Sequence, residues 1–450
     1  MFKVARYVGL ILSLPLMGAM AQPGAEPPVL PQQLDLETAI ALANQHNPRI
    51  NEARERIREQ SGVLIASQSS RRPDFNAFGQ YQVEEDKRTG SFGGPTAPDE
   101  EYWRYGIGVT QPIYYGGVLN ASIRSRRFEL KAREYQLLSV QDRVIADVHR
   151  KFYDALLARE VIVVRKESME LLDKQLRLSK NRFEAGAGAK FDVLQAEVRV
   201  SNARPPLIRA QNEYVVAIDD LRTSLGAVYA DAMSPTDIVL SGTRSTPPAA
   251  VPLQVAIATA VTNRPEMLDA IMQREAAREW VDRSRNQRSP RINFFADYAV
   301  ENDRFSGTSE NLEGWLAGVE ATLNIWDGGK IRGETAQAQS QYDQAQLREQ
   351  ALRLAIELEV RTAWNQAAEA SEILEASEQV IAQADEALRL AENRFSAGAI
   401  TQLDVLSSQL ELTQAKLERI TAERNFTIAL IELQRATGTL IPPGSEGEGR

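Results

Sequence analysis

A glycine- and alanine-rich motif occurs twice in the chain. Residues 181–194 read NRFEAGAGAKFDVL, and residues 393–406 read NRFSAGAITQLDVL. A long stretch without glycine or proline precedes each motif, from 118 to 183 and from 334 to 395. As helix, about 65 residues at 1.5 Å each would extend roughly 100 Å. We therefore expect each motif to be the tight tip of a long antiparallel helical hairpin, with the tips at 184–191 and 396–403.

The rest of the chain repeats around these two tips. Asp192 and Asp404 lie 212 residues apart (404 − 192), whereas Pro73 and Pro290 lie 217 apart (290 − 73). The difference of five falls in the glycine- and proline-rich stretch 90–98, which is typical of a loop. The chain is therefore a duplicated unit. We place the copies at 22–233 and 252–440, a connector at 234–251 and a flexible tail at 441–450.

Between its short helices and its long hairpin, each copy contains two segments with strand-like alternation. In 75–84 apolar or small residues alternate with mostly polar ones, and the parity is the same in the second copy. We predict strands at about 73–86 and 102–114, and again at 290–303 and 312–326. Their length suits tilted membrane strands with interfacial aromatics, although a half-buried sheet of a soluble domain gives the same pattern. The candidate interface aromatics are Tyr81, Tyr102, Trp103, Tyr298 and Trp315.

Four strands alone do not close a ring. An open sheet edge inside a bilayer would leave backbone N–H and C=O groups unpaired, which is costly where no water can reach them. If these strands span a membrane, copies of the chain must therefore join. Two chains would give eight strands and three would give twelve, and strand arithmetic does not choose between them.

The long helices carry a coiled-coil pattern, and hairpins of about 118–226 and 330–437 follow from it. In the second copy apolar or small residues recur at alternating spacings of four and three, which predicts a seam between helices. Pro205-Pro206 interrupts the first returning helix, so we expect a bend or a short break there. The seam residues are Ala363, Ala367, Ala370, Leu374, Ser377, Ile381, Ala384, Leu388, Ala391 and Phe395.

The N-terminus and the composition restrict the function. Lys3 and Arg6 precede an apolar run, and Ala19-Met20-Ala21 resembles a signal-peptidase site, so residues 1–21 are predicted to be a signal peptide. The chain has no cysteine, which excludes disulfides and thiolate metal sites, and only two histidines. A net charge of −9 disfavours nucleic acid as a partner. We expect no cofactor, no metal and no enzymatic activity.

These landmarks together resemble the TolC-like outer-membrane efflux proteins. The two tips carry the resemblance, supported by the turns at 112–117 and 324–329 and by Pro73 and Pro290 before the first strands. It implies a mainly α fold with membrane β strands, a homotrimer with one 12-stranded β-barrel in the cell outer membrane, and an α-helical periplasmic tunnel. It also implies docking to a periplasmic adaptor that is fed by an inner-membrane transporter, either proton-driven or ATP-driven.

The resemblance also suggests site residues. Asp192 and Asp404 match the aspartates near the periplasmic constriction, where three copies would gather six carboxylates of raised proton affinity. The alternative is that each aspartate simply caps its returning helix. Six tip residues are expected to dock the adaptor, although their role could instead be confined to the turn and the seam. They are Arg182, Phe183, Gly186, Arg394, Phe395 and Gly398.

The last two expectations concern contacts with lipid and the transported substrate. Arg71, Arg72, Arg288 and Arg291 precede the first strand of each copy and either meet anionic outer-membrane lipid or are merely solvated. Export of small toxic compounds is the preferred function, and secretion of a protein or peptide is the second. A soluble periplasmic coiled-coil scaffold would share the helices but would not need the amphipathic strands.

Overall fold

The computed structural model describes residues 28–84, 100–230, 234–241, 251–302 and 311–440. The predicted signal peptide (1–21), the loop at 90–98, residues 242–250 of the connector and the tail at 441–450 lie outside these ranges. The described residues are mainly helical. Among the helices that the structure describes, none is both long enough and apolar enough to cross a membrane.

The elements follow the same order in both halves of the chain: two short helices, two strands and a hairpin of two long helices. The first half contains α1 (Leu36–His46), α2 (Pro48–Ser69), β2 (Asp74–Glu84), β3 (Glu100–Tyr114), α3 (Val118–Glu184) and α4 (Lys190–Leu225). The second half contains α5 (Leu253–Asn263), α6 (Pro265–Asn286), β5 (Arg291–Asn302), β6 (Asn311–Thr322), α7 (Lys330–Ser396) and α8 (Gln402–Thr437). The short strands β1 (Gln33–Asp35) and β4 (Val239–Ser241) pair in parallel.

Two predicted strand boundaries need correction, and α4 is continuous at its prolines. Strand β3 begins at Glu100 rather than 102. Strand β6 ends at Thr322 rather than 326, because Thr322 pairs with Arg291 and the next ladder position belongs to Pro290, which has no N–H to donate. Of the bend or short break predicted at Pro205-Pro206, the break is absent, since α4 is helical throughout. Side chains of α4 are buried on both sides of the prolines, so tertiary packing stabilises the helix despite the two missing donors.

The helices form a layer in which the two hairpins lie side by side. Helix α3 packs on α4, α7 packs on α8, and α3 and α8 meet between them, so α4 and α7 lie at the edges. Helices α3 and α7 each have 67 residues, which at 1.5 Å per residue is roughly 100 Å. The predicted seam of α7 is confirmed, because all ten of its residues are buried or half-buried while almost every other residue from 363 to 395 is exposed.

A chain of ion pairs crosses the junction between the two halves. Arg264 at the start of α6 bonds to Glu359 of α7, which also accepts from Arg435 of α8 at 2.6 Å. Arg435 bonds in turn to Glu432 at 2.8 Å, and Glu432 accepts from Arg150 of α3 at 2.5 Å. Four helices from both halves are thus connected by alternating charges. Since Arg264 is only 5% exposed, its positive charge is stabilised by this carboxylate network rather than by water.

Strands β2, β3, β5 and β6 form one antiparallel sheet in that order. The register places Ala77, Ile107, Tyr298 and Trp315 in one row across all four strands. The predicted parity is confirmed, since the apolar sets of both copies share one face. Strands β2 and β6 are the edges of this sheet, and neither pairs with another strand of the described chain.

Candidate functional site

Both hairpin tips are short turns that a glycine makes possible. Helix α3 ends at Glu184 and α4 begins at Lys190, while α7 ends at Ser396 and α8 begins at Gln402. Gly186 and Gly398 have φ values of +73° and +74°, where a side chain is disfavoured. The next amide bonds back to the helix in each tip, from Ala187 to the Arg182 carbonyl at 2.8 Å and from Ala399 to the Arg394 carbonyl at 2.9 Å. The two tips therefore have the same backbone structure.

The tips contact each other although they are about 210 residues apart in sequence. The Arg182 guanidinium lies over the Phe395 ring, 5.1 Å from its centroid. Gln402 Nε2 donates to Ser179 Oγ at 2.7 Å. Phe183, which matches Phe395 in the repeat, is instead 45% exposed. The structure thus brings Arg182 and Phe395 together and leaves Phe183, Gly186, Arg394 and Gly398 on the tip surface.

The two predicted constriction aspartates make unequal contacts in the single chain. Asp404 Oδ2 accepts from both Thr401 N and Thr401 Oγ1 at 2.8 Å, so it caps α8. Asp192 Oδ2 accepts only from Ala189 N, at 3.4 Å. The bonds from Thr401 hold the pKa of the Asp404 carboxyl below its ordinary value. In the single chain the pKa of Asp404 is thus lowered, whereas a raised pKa is expected where six such carboxylates meet in a trimer.

Four of the five predicted interface aromatics lie on the apolar face of the sheet. Tyr81 pairs with Trp103, and Tyr298 pairs with Trp315. Tyr102 has the opposite parity, and its hydroxyl donates to Glu301 Oε2 at 3.0 Å on the polar face. Tyr102 therefore does not share the face of the other four, because neighbouring residues of a strand point to opposite faces and Trp103 occupies the apolar one.

The polar face of the sheet carries contacts that the sequence reasoning missed. Arg104 of β3 bonds to Asp297 of β5 at 3.0 Å, across the junction of the two halves. On the same face, a Cβ on Gly106 or Gly318 would come within 2.9 Å or 2.8 Å of the rings of Phe78 and Phe295 respectively. Both ring-over-glycine pairs recur with the repeat, which is the signal that could have revealed them.

Three comparisons with known proteins bear on this geometry. The sequence profile of the outer membrane efflux protein family matches residues 39–227 and 256–439, one segment in each half. The chain belongs to the outer membrane efflux protein family. It is therefore a protein of the cell outer membrane with a general role in efflux.

Individual relatives agree over most of the chain. The outer membrane efflux protein BepC of Brucella suis is 24% identical over 90% of this chain and 85% of its own length. The alkaline protease secretion protein AprF of Pseudomonas aeruginosa is 24% identical over 77% of this chain and 72% of its own. The crystal structure of the CmeC outer membrane channel of Campylobacter jejuni has 16% identity and a TM-score of 0.78, covering 90% of this chain and 86% of that one. The structural likeness gives the fold, which is that of outer membrane channels.

Proposed function

We propose that three copies of this chain form the outer-membrane exit channel of a tripartite efflux system. Their twelve strands close one β-barrel in the outer membrane, and their long helices form a tunnel in the periplasm. Small toxic compounds enter from a periplasmic adaptor and an inner-membrane pump and leave through the barrel. The function is conduction, and no step of it requires a catalytic group.

The two open edges of the sheet carry this proposal. Strands β2 and β6 each present one row of backbone groups that no described strand of this chain satisfies. One face of the sheet is apolar and exposed, with Phe75 78% and Trp315 79% accessible. Such a sheet is stable in a bilayer only when its edges are paired. Pairing β6 of one copy with β2 of the next satisfies both edges and repeats until a ring closes.

The helical layer has corresponding edges. Apolar side chains at spacings of three and four remain exposed on α4, namely Phe191, Leu194 and Val198. On α7, Ile373 and Val380 are exposed one heptad apart, beside the buried seam. These stripes are typical of a second coiled-coil contact. We expect α7 of one copy to pack against α4 of the next, in the same order as the strands.

The tips and the two aspartates have roles within this arrangement. The exposed tip residues lie at the end of the hairpins farthest from the sheet, where a periplasmic adaptor would dock. Asp192 and Asp404 directly follow the tips and would gather as six carboxylates in the closed ring. Such a ring attracts cations. In addition to this role, Asp404 caps its helix.

Secretion of a protein is the second candidate function. AprF, whose name describes alkaline protease secretion, matches 77% of this chain. The two candidates differ in their cargo and in the inner-membrane partner, an ATP-driven exporter replacing a proton-driven pump. Expression in a host without its own exit channel, together with either type of partner, separates them. Restored resistance to toxic small molecules supports the first, whereas restored release of a protein substrate supports the second.

Disulfide cross-linking tests the closed ring directly, because the natural chain contains no cysteine. Ala77→Cys in β2 is combined in turn with Glu313→Cys, Trp315→Cys, Ala317→Cys or Val319→Cys in β6. These positions share the face of Ala77, so one combination should give covalent trimers after oxidation. Ala77→Cys with Leu316→Cys is the matched control, since those side chains lie on opposite faces. The proposal would be refuted if every cysteine pair yielded only monomers, or if the covalent oligomers ended at a number of copies other than three.

A further inference from the structure

A basic groove lies at the foot of the sheet in the second half of the chain. It has a volume of about 440 Å³ and runs between α6 and α7, below the first residue of β5. Three cations line it, namely Arg283 of α6, Arg291 of β5 and Lys330 of α7. The only carboxylate among the lining residues is Glu334, whose Oε1 lies 3.9 Å from Lys330 Nζ. The groove therefore carries a net positive charge.

Arg283 is held in place without a counter-charge. Its guanidinium carbon lies 4.7 Å from the centroid of the Trp280 ring, which also lines the groove. Its Nε is buried and has no hydrogen-bond acceptor, and no carboxylate in the described part of the chain pairs with it. Arg126 lies 5.2 Å from the same ring but is neutralised by Glu129 at 2.7 Å. Arg283 therefore retains a donor that an anion entering the groove could satisfy.

The first half of the chain provides an internal comparison. Trp280, Arg283 and Arg291 correspond to positions 63, 66 and 74 (280 − 217, 283 − 217, 291 − 217), and Lys330 corresponds to position 118 (330 − 212). Those positions hold Val63, Ala66, Asp74 and Val118, so the cations and the ring are all absent there. The same helices and strands form without them. The fold therefore does not require this charge cluster.

We propose that the groove binds an anion bearing a phosphate or carboxylate group. A planar guanidinium offers paired donors to such oxyanions, and the ammonium of Lys330 adds a further charge-assisted contact. Arg291 and Lys330 begin a strand and a helix, so the groove lies where the sheet meets the helical layer. The anion is either the headgroup of an anionic phospholipid or a soluble ion. The site lies within one chain, so it is independent of ring closure and of the cargo.

Binding measurements on the purified full-length mature protein in a neutral detergent test this site. The probes are inorganic phosphate, followed by calorimetry, and phosphatidylglycerol against phosphatidylcholine, followed by native mass spectrometry. The test variant carries Arg283→Gln, Arg291→Gln and Lys330→Gln. The control variant carries Lys131→Gln, Arg332→Gln and Arg353→Gln, which removes the same charge from exposed positions outside the groove. Circular dichroism and the thermal midpoint verify that both variants are folded.

We expect the natural protein to bind at least one anionic probe, and the test variant to bind it about tenfold or more weakly, which is about 1.4 kcal/mol. The control variant should stay within about twofold. If the test variant loses only phosphatidylglycerol binding, the ligand is a lipid headgroup. If it loses phosphate binding, the ligand is a soluble anion. If neither probe binds the natural protein, or if test and control variants bind alike, the assignment is wrong. Trimer formation and conductance by the test variant distinguish this failure from failure of the channel proposal.

Discussion

Asp142 provides a pH-dependent prediction for the junction of the helices. It lies on α3 and is only 7% exposed. Burial, with repulsion from Glu266 of α6, raises the pKa of its carboxyl from 3.8 to about 6. Attraction from Arg264 of α6, Arg435 of α8 and Arg143 of its own helix opposes this rise. The native state therefore holds this proton more tightly than the unfolded chain does.

The sign and size of the effect follow from linkage. A raised carboxyl pKa means that stability falls as pH rises from about 3.8 to about 6, and then levels off. At about 1.36 kcal/mol per pH unit, ionised Asp142 costs the native state about 3 kcal/mol at neutral pH. Asp142→Asn keeps the shape of the side chain and removes this titration. The variant should therefore match the natural protein near pH 4 and exceed its stability by about 3 kcal/mol above pH 7.

Thermal unfolding in detergent, followed by circular dichroism between pH 4 and pH 8, measures this difference. Glu170→Gln is the control, because Glu170 is an exposed carboxylate on the same helix. We expect the midpoint of Asp142→Asn to exceed that of the natural protein by an amount that grows as pH rises from 4 to 7, while the control follows the natural protein at every pH. Equal pH dependence of Asp142→Asn and the natural protein would refute the assignment of this titration to Asp142.

Three further predictions concern the mouth, the tips and the charge network. Lysine at both Asp192 and Asp404 should change single-channel conductance and reduce cation preference in planar bilayers, and unchanged ion selectivity would exclude the acidic ring. Glutamine at both Gly186 and Gly398 should abolish export yet leave cross-linked trimers intact, because the tips are exposed and their φ values disfavour a side chain; normal export would show that the adaptor docks elsewhere. Arg264→Met should cost about 1 to 3 kcal/mol, because it removes a buried partner of Glu359, which is 36% exposed and keeps Arg435 as its second partner. An unchanged thermal midpoint would show that this pair does not stabilise the junction.

Local sequence pattern was sufficient to predict the helices, the strands and the hairpin tips. Glycine at 186 and 398 after a long stretch without helix breakers predicts a turn, because only the turn needs a positive φ. Alternation along the strands predicts their faces, and the register agrees in all four. Parity separates Tyr102 from the other four predicted aromatics, because its side chain points to the polar face. At Pro205-Pro206 the helix does not break, because packing against α3 overrides the helix-breaking tendency.

The sequence by itself determined the helical hairpins and the amphipathic strands, because periods of 2 and 3.6 depend only on near neighbours along the chain. Only the tertiary structure decided that β3 pairs with β5, that Arg182 covers Phe395, and that Asp404 bonds more firmly than Asp192. It likewise gathered Arg283, Arg291 and Lys330 from three elements into one groove. Such contacts depend on how distant segments pack together, and no local periodicity encodes that packing.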